Sequence, residues 1–132
     1  KFMGGDGICS TDLARLAGDA VGEGKVVCAE AGGVEEGMKG DLNKFKAAFA
    51  KRFNHDVVLN APYAYDAVMT MADAMQRAGS AEPAKYLPQL AKIKHKGITG
   101  MIAFDQNGDL IDGTLTLYTY KNGKREMIAV TK

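Results

Sequence analysis

The stretch KFMGGDGICST, near the start of the chain, places a carboxylate among glycines, and these residue types could do chemistry. Glycines after a short apolar run indicate a tight turn or a close approach of the backbone to another group. A phosphate loop would need a Gly-Lys-Ser/Thr sequence, and a dinucleotide-binding fingerprint would need a third glycine where Ser10 stands. Asp6 would repel a phosphate, whereas at the carboxyl end of a parallel strand it suits a cation such as an ammonium group. The alternative is that Asp6 only caps a helix or stabilises a turn, and the spacing leaves both interpretations open.

The two cysteines of the chain, Cys9 and Cys28, form a second candidate pair. Their spacing matches neither a zinc site nor a CxxC redox motif. One interpretation is a disulfide formed in an oxidising compartment, because a cysteine at the end of one strand can meet a cysteine in the neighbouring strand. The other is a pair of buried apolar thiols.

No arrangement typical of catalysis competes with the glycine-rich loop. Ser10 and Thr11 have no histidine or lysine base near them in sequence, and the GxSxG and HExxH motifs are absent. We therefore expect no catalytic residues and a protein that is not an enzyme.

Two further groups of residues resemble metal ligands only superficially. Met69, Met71 and Met75 follow helical spacing without a cysteine or histidine nearby, which favours core packing over a soft-metal site. The segment 105–109 resembles half of a calcium loop, but its glycine has the wrong offset and no glutamate closes it. An Asx-rich turn is the better interpretation, so we expect no metal and no cofactor.

The elements that must position the glycine-rich loop form a strand, helix and strand in succession. Residues 1–3 end a first strand, an apolar stripe predicts a helix from Ser10 or Thr11 to Val21, and 25–29 is β-branched. This spacing predicts a βαβ unit and hence a parallel sheet. The segment 31–40 is glycine-rich and predicts a loop.

Three helices and a β-rich end follow in the sequence. Asp41, Pro62 and Pro83 mark the predicted helix starts, and the lysines and arginine of the first of these helices are interpreted as a solvated face. The last helix is predicted to run to about Ile93, and a short strand is predicted over 57–59. Further strands are predicted over 101–104, 114–120 and 127–130, with Asn122-Gly123 as a hairpin turn.

Composition narrows the classes of partner. The 132 residues are 46% hydrophobic and 25% charged, which is typical of one globular domain. The net charge is +1 and no basic patch is evident, which argues against nucleic acid. No apolar run approaches the roughly 20 residues of a membrane span. The first residues lack an apolar signal core and read as mid-domain sequence, which leaves room for an export signal upstream.

Four segments together resemble a known family. These are FMGGDG, LAGDAVGEGKVVCAEAG, KRFNHDVVLNAPYAYDAVMTMADAMQRAGS and GITGMIAFDQNGDL. They are similar to the C-terminal part of periplasmic amino-acid-binding proteins of ABC transporters, of the branched-chain (Leu/Ile/Val) type. The resemblance runs in order over nearly the whole chain.

This resemblance implies an α/β fold, the type I periplasmic-binding fold, with two three-layer parallel-sheet lobes around a ligand cleft. The chain would be an incomplete fragment that contributes to both lobes and ends in a β-hairpin. Residues 1–32 would belong to the C-terminal lobe, 33–112 to the N-terminal lobe, and 113–132 would cross over and return. The stretches 32–34 and 111–113 would then be hinge strands.

The resemblance also implies binding residues. An acidic residue after the first strand holds the α-ammonium of the ligand in branched-chain binders, and Asp6 occupies that position beside Gly7. Relatives place an aromatic residue over the ligand side chain at the approach to the third helix. The ungapped match falls on Asn60, which is not aromatic, and Tyr63 lies one helical turn on.

The function implied is a periplasmic solute-binding component that captures an aliphatic amino acid and delivers it to a membrane permease. Alternatives are the ligand-sensing domain of a receptor, which a signalling segment in the full gene would support, and an α/β enzyme, which a turnover screen would identify. As a fragment, the chain is expected to expose apolar faces and strand edges. We therefore expect the missing N-terminal portion or a second copy to complete the fold.

Overall fold

The computed structural model describes residues 1–32, 39–57 and 60–131, which divide between two units. The first unit comprises Lys1–Gly33 and Gly113–Lys132, and the second comprises Val34–Asp112. The predicted strand over 57–59 and the predicted hinge over 32–34 each include residues outside these described ranges.

The first unit is built on a four-stranded sheet with the order β1-β2-β5-β6. Its strands are β1 (Phe2–Gly4), β2 (Val26–Ala31), β5 (Leu115–Lys121) and β6 (Lys124–Thr131). β1 and β2 pair in parallel, which confirms the predicted βαβ unit, whereas β5 and β6 are antiparallel to their neighbours. The parallel register brings Gly4 opposite Cys28, so the loop that follows β1 begins beside the second cysteine.

The β5–β6 turn confirms the predicted hairpin. Asn122 and Gly123 both have positive φ, at 49° and 70°. A two-residue turn with both residues in this region matches the right-handed twist of its strands, which is why Asn-Gly is favoured there.

The helix between β1 and β2 is shorter than predicted. The α-helix α1 covers only Leu13–Ala17, and a 3₁₀ turn over Gly18–Val21 follows it. Gly18 adopts a positive φ of 52°, which glycine tolerates and which ends the α-helix. Leu16, predicted on the buried stripe, is 71% exposed.

The second unit contains three helices and a two-stranded antiparallel ribbon. The helices are α2 (Lys39–Phe53), α3 (Ala61–Ala78) and α4 (Pro83–Leu90), and the ribbon pairs β3 (Lys94–Lys96) with β4 (Met101–Ala103). α3 has Pro62 in its first turn and ends at Gly79 in the left-handed region, as predicted.

Four details of the second unit differ from prediction. α2 begins two residues before Asp41, which instead lies in its first turn. α4 ends at Leu90 rather than near Ile93, because the N–H groups of Lys92 and Ile93 bond three residues back instead of four. The strand β3 was not predicted, because its sequence Lys-His-Lys has no β-branched residue. At the predicted hinge strand over 111–113, residues 111 and 112 form a turn.

Aromatic side chains line one face of α2, as the spacing predicts. The rings of Phe45, Phe49 and Phe53 contact each other in sequence, and Phe45 also meets Tyr65 of α3 with ring centroids 5.1 Å apart. The four cations predicted on the solvated face are exposed: Lys44, Lys46, Lys51 and Arg52.

Candidate functional site

The glycine-rich loop follows β1 as a short 3₁₀ turn over Asp6–Ile8. Asp6 is exposed, and its Oδ1 accepts a hydrogen bond from the N–H of Gly7 at 2.9 Å. The carboxylate therefore does stabilise the turn, one of the two interpretations that the sequence left open. Within the described residues it forms no ion pair, so it is also accessible to a cation.

Packing within the unit explains one glycine of the loop but not the other two. A side chain at Gly4 would collide with Ile8, so packing explains that glycine. A Cβ at Gly5 or Gly7 would meet nothing within 4 Å, and neither residue has a positive φ. Neither steric crowding nor backbone conformation within this unit therefore requires glycine at those two positions.

A disulfide joins the loop to β2. Cys9 and Cys28 are bonded, with their Cα atoms 5.4 Å apart, and both are fully buried. They form the core of the unit together with Val21, Val26 and Tyr120. The disulfide interpretation of the two cysteines is thus confirmed.

The loop is also held through its carbonyl groups by β5 and β6. The hydroxyl of Tyr120 lies 2.8 Å from the carbonyl oxygen of Ser10 and 3.1 Å from that of Ile8, and its single proton is shared between them. Burial raises the pKa of Tyr120, so the hydroxyl stays a donor at neutral pH. Arg125 donates from the same guanidinium nitrogen to the carbonyl of Cys9 and to the carboxylate of Glu30.

The other two predicted binding residues lie in the second unit. Asn60 immediately precedes α3, is exposed and makes no side-chain capping bond. Tyr63, in the first turn of α3, is half-buried. The structure thus brings Asp6 and Gly7 together in one unit and Asn60 and Tyr63 together in the other.

Tyr63 lines an apolar cavity of about 300 Å³ between α3, α4 and β4. Thr70 also lines it, and its buried hydroxyl has no hydrogen-bond partner among the described residues. The remaining lining residues include Met71, Ile102 and Phe104.

Asp66 anchors the turn between β3 and β4. It is 2% exposed, and its carboxylate accepts hydrogen bonds from the N–H groups of Ile98 and Thr99 and from the Thr99 hydroxyl, at 2.9, 2.8 and 2.6 Å. A Cβ on Gly97 would overlap this carboxylate, which explains the glycine.

A charged network joins α3 to β3. Arg77 donates two hydrogen bonds to Asp73, at 2.8 and 2.9 Å, and His95 Nδ1 lies 3.0 Å from the same carboxylate. Arg77 first, and then His95, lower the pKa of Asp73 from 3.8 to about 2.

The segment resembling a calcium loop is an Asx turn. Asp105 Oδ1 accepts from the N–H groups of Asn107 and Asp109 at 2.8 and 3.0 Å, and these bonds lower the pKa of Asp105. Across the described ranges no cluster of histidine, cysteine or acidic residues is arranged to hold a metal ion. Of the helices described, none combines the length and apolar character that a membrane crossing requires.

Sequence reasoning did not identify Tyr120, Arg125 or Glu30 as supports of the loop. The alternation along β5 predicts that every second side chain is buried, whereas Thr119 and Tyr120, adjacent in the sequence, are both buried. Arg125 stands in a polar stretch without any pattern, so no local signal distinguishes it from a solvent-exposed cation.

Residues 1–125 match the family described as periplasmic binding protein, a family of binding proteins rather than enzymes. The leucine-, isoleucine-, valine-, threonine- and alanine-binding protein of Pseudomonas aeruginosa is 29% identical over 120 residues, covering 91% of this chain and 31% of that protein. The Leu/Ile/Val-binding protein homolog 1 of Brucella abortus is 32% identical over 128 residues, covering 93% and 32%.

Solved structures show the same fold. A leucine-binding protein from Thermotoga maritima superposes with a TM-score of 0.75 at 27% identity, covering 99% of this chain and 37% of that one. A branched-chain amino acid transporter substrate-binding protein from Streptococcus pneumoniae, in complex with isoleucine, superposes with a TM-score of 0.66 at 23% identity, over 96% and 36%, which supports the fold alone. The chain spans about a third of the length of the relatives it matches. It has the α/β type I periplasmic-binding fold, of which it covers a part, and it belongs to the periplasmic binding protein family.

Proposed function

We propose that the chain is the C-terminal part of a periplasmic solute-binding component of an amino-acid ABC transporter, which binds an aliphatic or branched-chain amino acid for import. The observation that carries this proposal is the exposed Asp6 carboxylate on a firmly held loop at the carboxyl end of β1. Ligands of open α/β sheets bind outside this end of the strands. The amino-acid-binding relatives support the same class of ligand.

Asp6 bonds the α-ammonium of the ligand in this proposal. A charge-assisted hydrogen bond is roughly twice as strong as a neutral one, and closure of the cleft removes the water that would weaken it. The open space beside Gly5 and Gly7 supports a close approach of the ligand to the backbone. The carboxylate therefore selects the amino group, which all amino acids share.

Asn60 and Tyr63 contact the ligand side chain in this proposal. Their position at the start of α3, with Tyr63 half-buried, supports this role. Asn60 carries an amide and Tyr63 a phenol, which differ from a purely apolar binding surface. The side-chain preference of this protein therefore need not match that of its relatives.

The lobes are assigned as follows. Residues 1–32 and 113–132 belong to the C-terminal lobe and residues 33–112 to the N-terminal lobe. The change from one compact unit to the other at Gly33/Val34 and Asp112/Gly113 supports this assignment. The mechanism is closure of the two lobes on the ligand about the crossover segments, followed by delivery to a membrane permease.

A screen of the full-length protein containing this chain, by thermal unfolding against each of the twenty amino acids, tests this function. A ligand that binds only the folded state raises the midpoint, and at one hundred times its Kd it stabilises by about 2.7 kcal/mol. We expect aliphatic amino acids to raise the midpoint and acidic or basic ones to leave it unchanged. A midpoint that no amino acid raises would contradict the proposal.

A further inference from the structure

The turn that carries Asp6 is linked to a buried ion pair through a continuous chain of hydrogen bonds. The N–H of Cys9 donates to the backbone carbonyl of Asp6 at 2.9 Å, which closes the 3₁₀ turn. The carbonyl of the same Cys9 accepts from Arg125, and the same guanidinium nitrogen donates to Glu30. Cys9 therefore connects the ion pair to the turn, with its carbonyl bonded to Arg125 and its N–H bonded to Asp6.

The ion pair is placed so that it fixes the position of the guanidinium. Glu30 is 3% exposed and projects from β2, and the Arg125 guanidinium stacks over the Tyr118 ring, 4.3 Å from its centroid. Taking two charges out of water is costly, so such a pair is weak evidence for stability. Glu30 and Tyr118 nevertheless both contact the guanidinium in the position from which it donates to the Cys9 carbonyl.

The disulfide does not make this contact redundant. It holds the side chain of Cys9, whereas Arg125 holds its carbonyl group. The Cys9 carbonyl and the Cys9 N–H belong to adjacent peptide groups, so Arg125 restrains the backbone of Cys9 next to the amide that closes the turn. A ligand-binding turn that is already ordered loses less conformational entropy when it binds.

We infer that Arg125, oriented by the buried Glu30, is a positioning residue that holds the Asp6 turn in its binding geometry. The inference rests on the proposed function of Asp6 and adds to it residues that touch no ligand. Arg125 acts through Cys9 and not by contact with the amino acid.

Calorimetric titration of the full-length protein with L-leucine, in a double-mutant cycle, tests this role. Arg125→Met removes the contact, and the double variant Glu30→Gln/Arg125→Met removes it without leaving a buried charge. We expect each to weaken binding about tenfold, and about twofold or less when Asp6→Asn is already present, because residues of one network are not additive. Equal losses in both backgrounds, or no loss, would overturn the inference.

Arg15→Met is the matched control, because Arg15 lies in the same unit and its side chain is 69% exposed. It should leave the affinity for L-leucine unchanged. If Arg15→Met weakens binding as much as Arg125→Met, the loss of affinity does not depend on the contact with the Cys9 carbonyl, and the inference fails.

Amide hydrogen exchange tests the positioning role independently of any ligand. In Glu30→Gln/Arg125→Met the Cys9 amide, which donates to Asp6, should exchange about tenfold faster relative to the amides of β2. An unchanged ratio would overturn the inference. A wild-type protein that binds no aliphatic amino acid while this ratio changes would instead overturn the proposed function alone.

Discussion

Asp66 and Asp6 show how differently two carboxylates of one chain are used. Asp66 is buried and accepts three hydrogen bonds within its own unit, whereas Asp6 is exposed and its carboxylate, among the described residues, accepts from the adjacent N–H. The first is therefore satisfied by the fold, and the second retains capacity for a partner from outside.

Replacing Asp66 should destabilise the protein strongly. Asp66→Ala leaves two backbone N–H groups and a hydroxyl near the ribbon turn without their acceptor, at a cost of about 2–4 kcal/mol. Urea unfolding followed by circular dichroism measures the change. Asp112→Ala, at an exposed position, is the control and should change stability by about 0.5 kcal/mol or less.

Asp73 gives the protein an acid-sensitive contribution to stability. Its pKa is lowered to about 2, below its ordinary 3.8, so the ionised form favours the folded state. That stability is fully present above pH 3.8 and is lost as the pH falls through about 2. The difference in unfolding midpoint between wild type and Asp73→Asn should therefore be present at neutral pH and vanish by about pH 2. A difference that stays constant over this range would contradict the assignment.

Among single residues, the sequence indicates those that stand in an unusual local pattern. It does not indicate those whose bonding partners are distant in the sequence. Asp6 was proposed as a binding residue because the glycines around it are unusual, and that role stays a prediction. Asp66 could not be found, because a carboxylate in a helix is ordinarily solvated, and its partners lie more than 30 residues away.

Among the elements of the first unit, the disulfide links the loop after β1 to the strand β2. It closes a loop with a sequence separation of 19 residues, which stabilises by about 3 kcal/mol in the chain-entropy description. Reduction should lower the unfolding midpoint measured by thermal denaturation. The variant Cys9→Ala/Cys28→Ala should start from a lower midpoint and show no response to the reductant, and a wild type equally insensitive to it would contradict this expectation.

The β5–β6 turn requires glycine at its second position. Gly123→Ala places a side chain at a φ of 70° and should cost about 1 kcal/mol, measured by urea unfolding. The matched control is Gly40→Ala, within helix α2 and with open space around it, which should stabilise by up to about 1 kcal/mol. Equal effects at both positions would show that backbone conformation does not decide the outcome.

The sequence predicts these elements where periodicity and turn residues agree. α3 and the hairpin turn are correct because proline, glycine and the apolar spacing all indicate the same boundaries. α1 was predicted too long, because the apolar stripe gives no sign that Gly18 leaves the helical conformation. β3 was missed because its pairing with β4, and not its own residues, makes it a strand.

Large apolar side chains are exposed over much of the part of the chain that the structure describes. Many large apolar side chains are at least about two-fifths exposed, among them Phe2, Met3, Val68 and Ile111. Of the described strands of its sheet, β1 lies at one edge, beside β2. We propose that the missing N-terminal portion, or a second copy of the chain, covers these surfaces.

Light scattering of the isolated chain tests this proposal. We expect it to self-associate, and we expect addition of the N-terminal portion expressed separately to restore a discrete species. A stable, folded monomer of the isolated chain would contradict the expectation. The chain is also expected to bind no amino acid alone, since it supplies only part of the cleft.

Calorimetric titration of the full-length protein with L-leucine measures whether Asp6 binds the ammonium group of an aliphatic amino acid. Asp6→Ala should weaken binding by about 1–3 kcal/mol or more, because a charged hydrogen bond is lost. Asp12→Ala, an exposed carboxylate of the same unit, should leave the affinity unchanged. An Asp6→Ala variant with wild-type affinity would contradict the account.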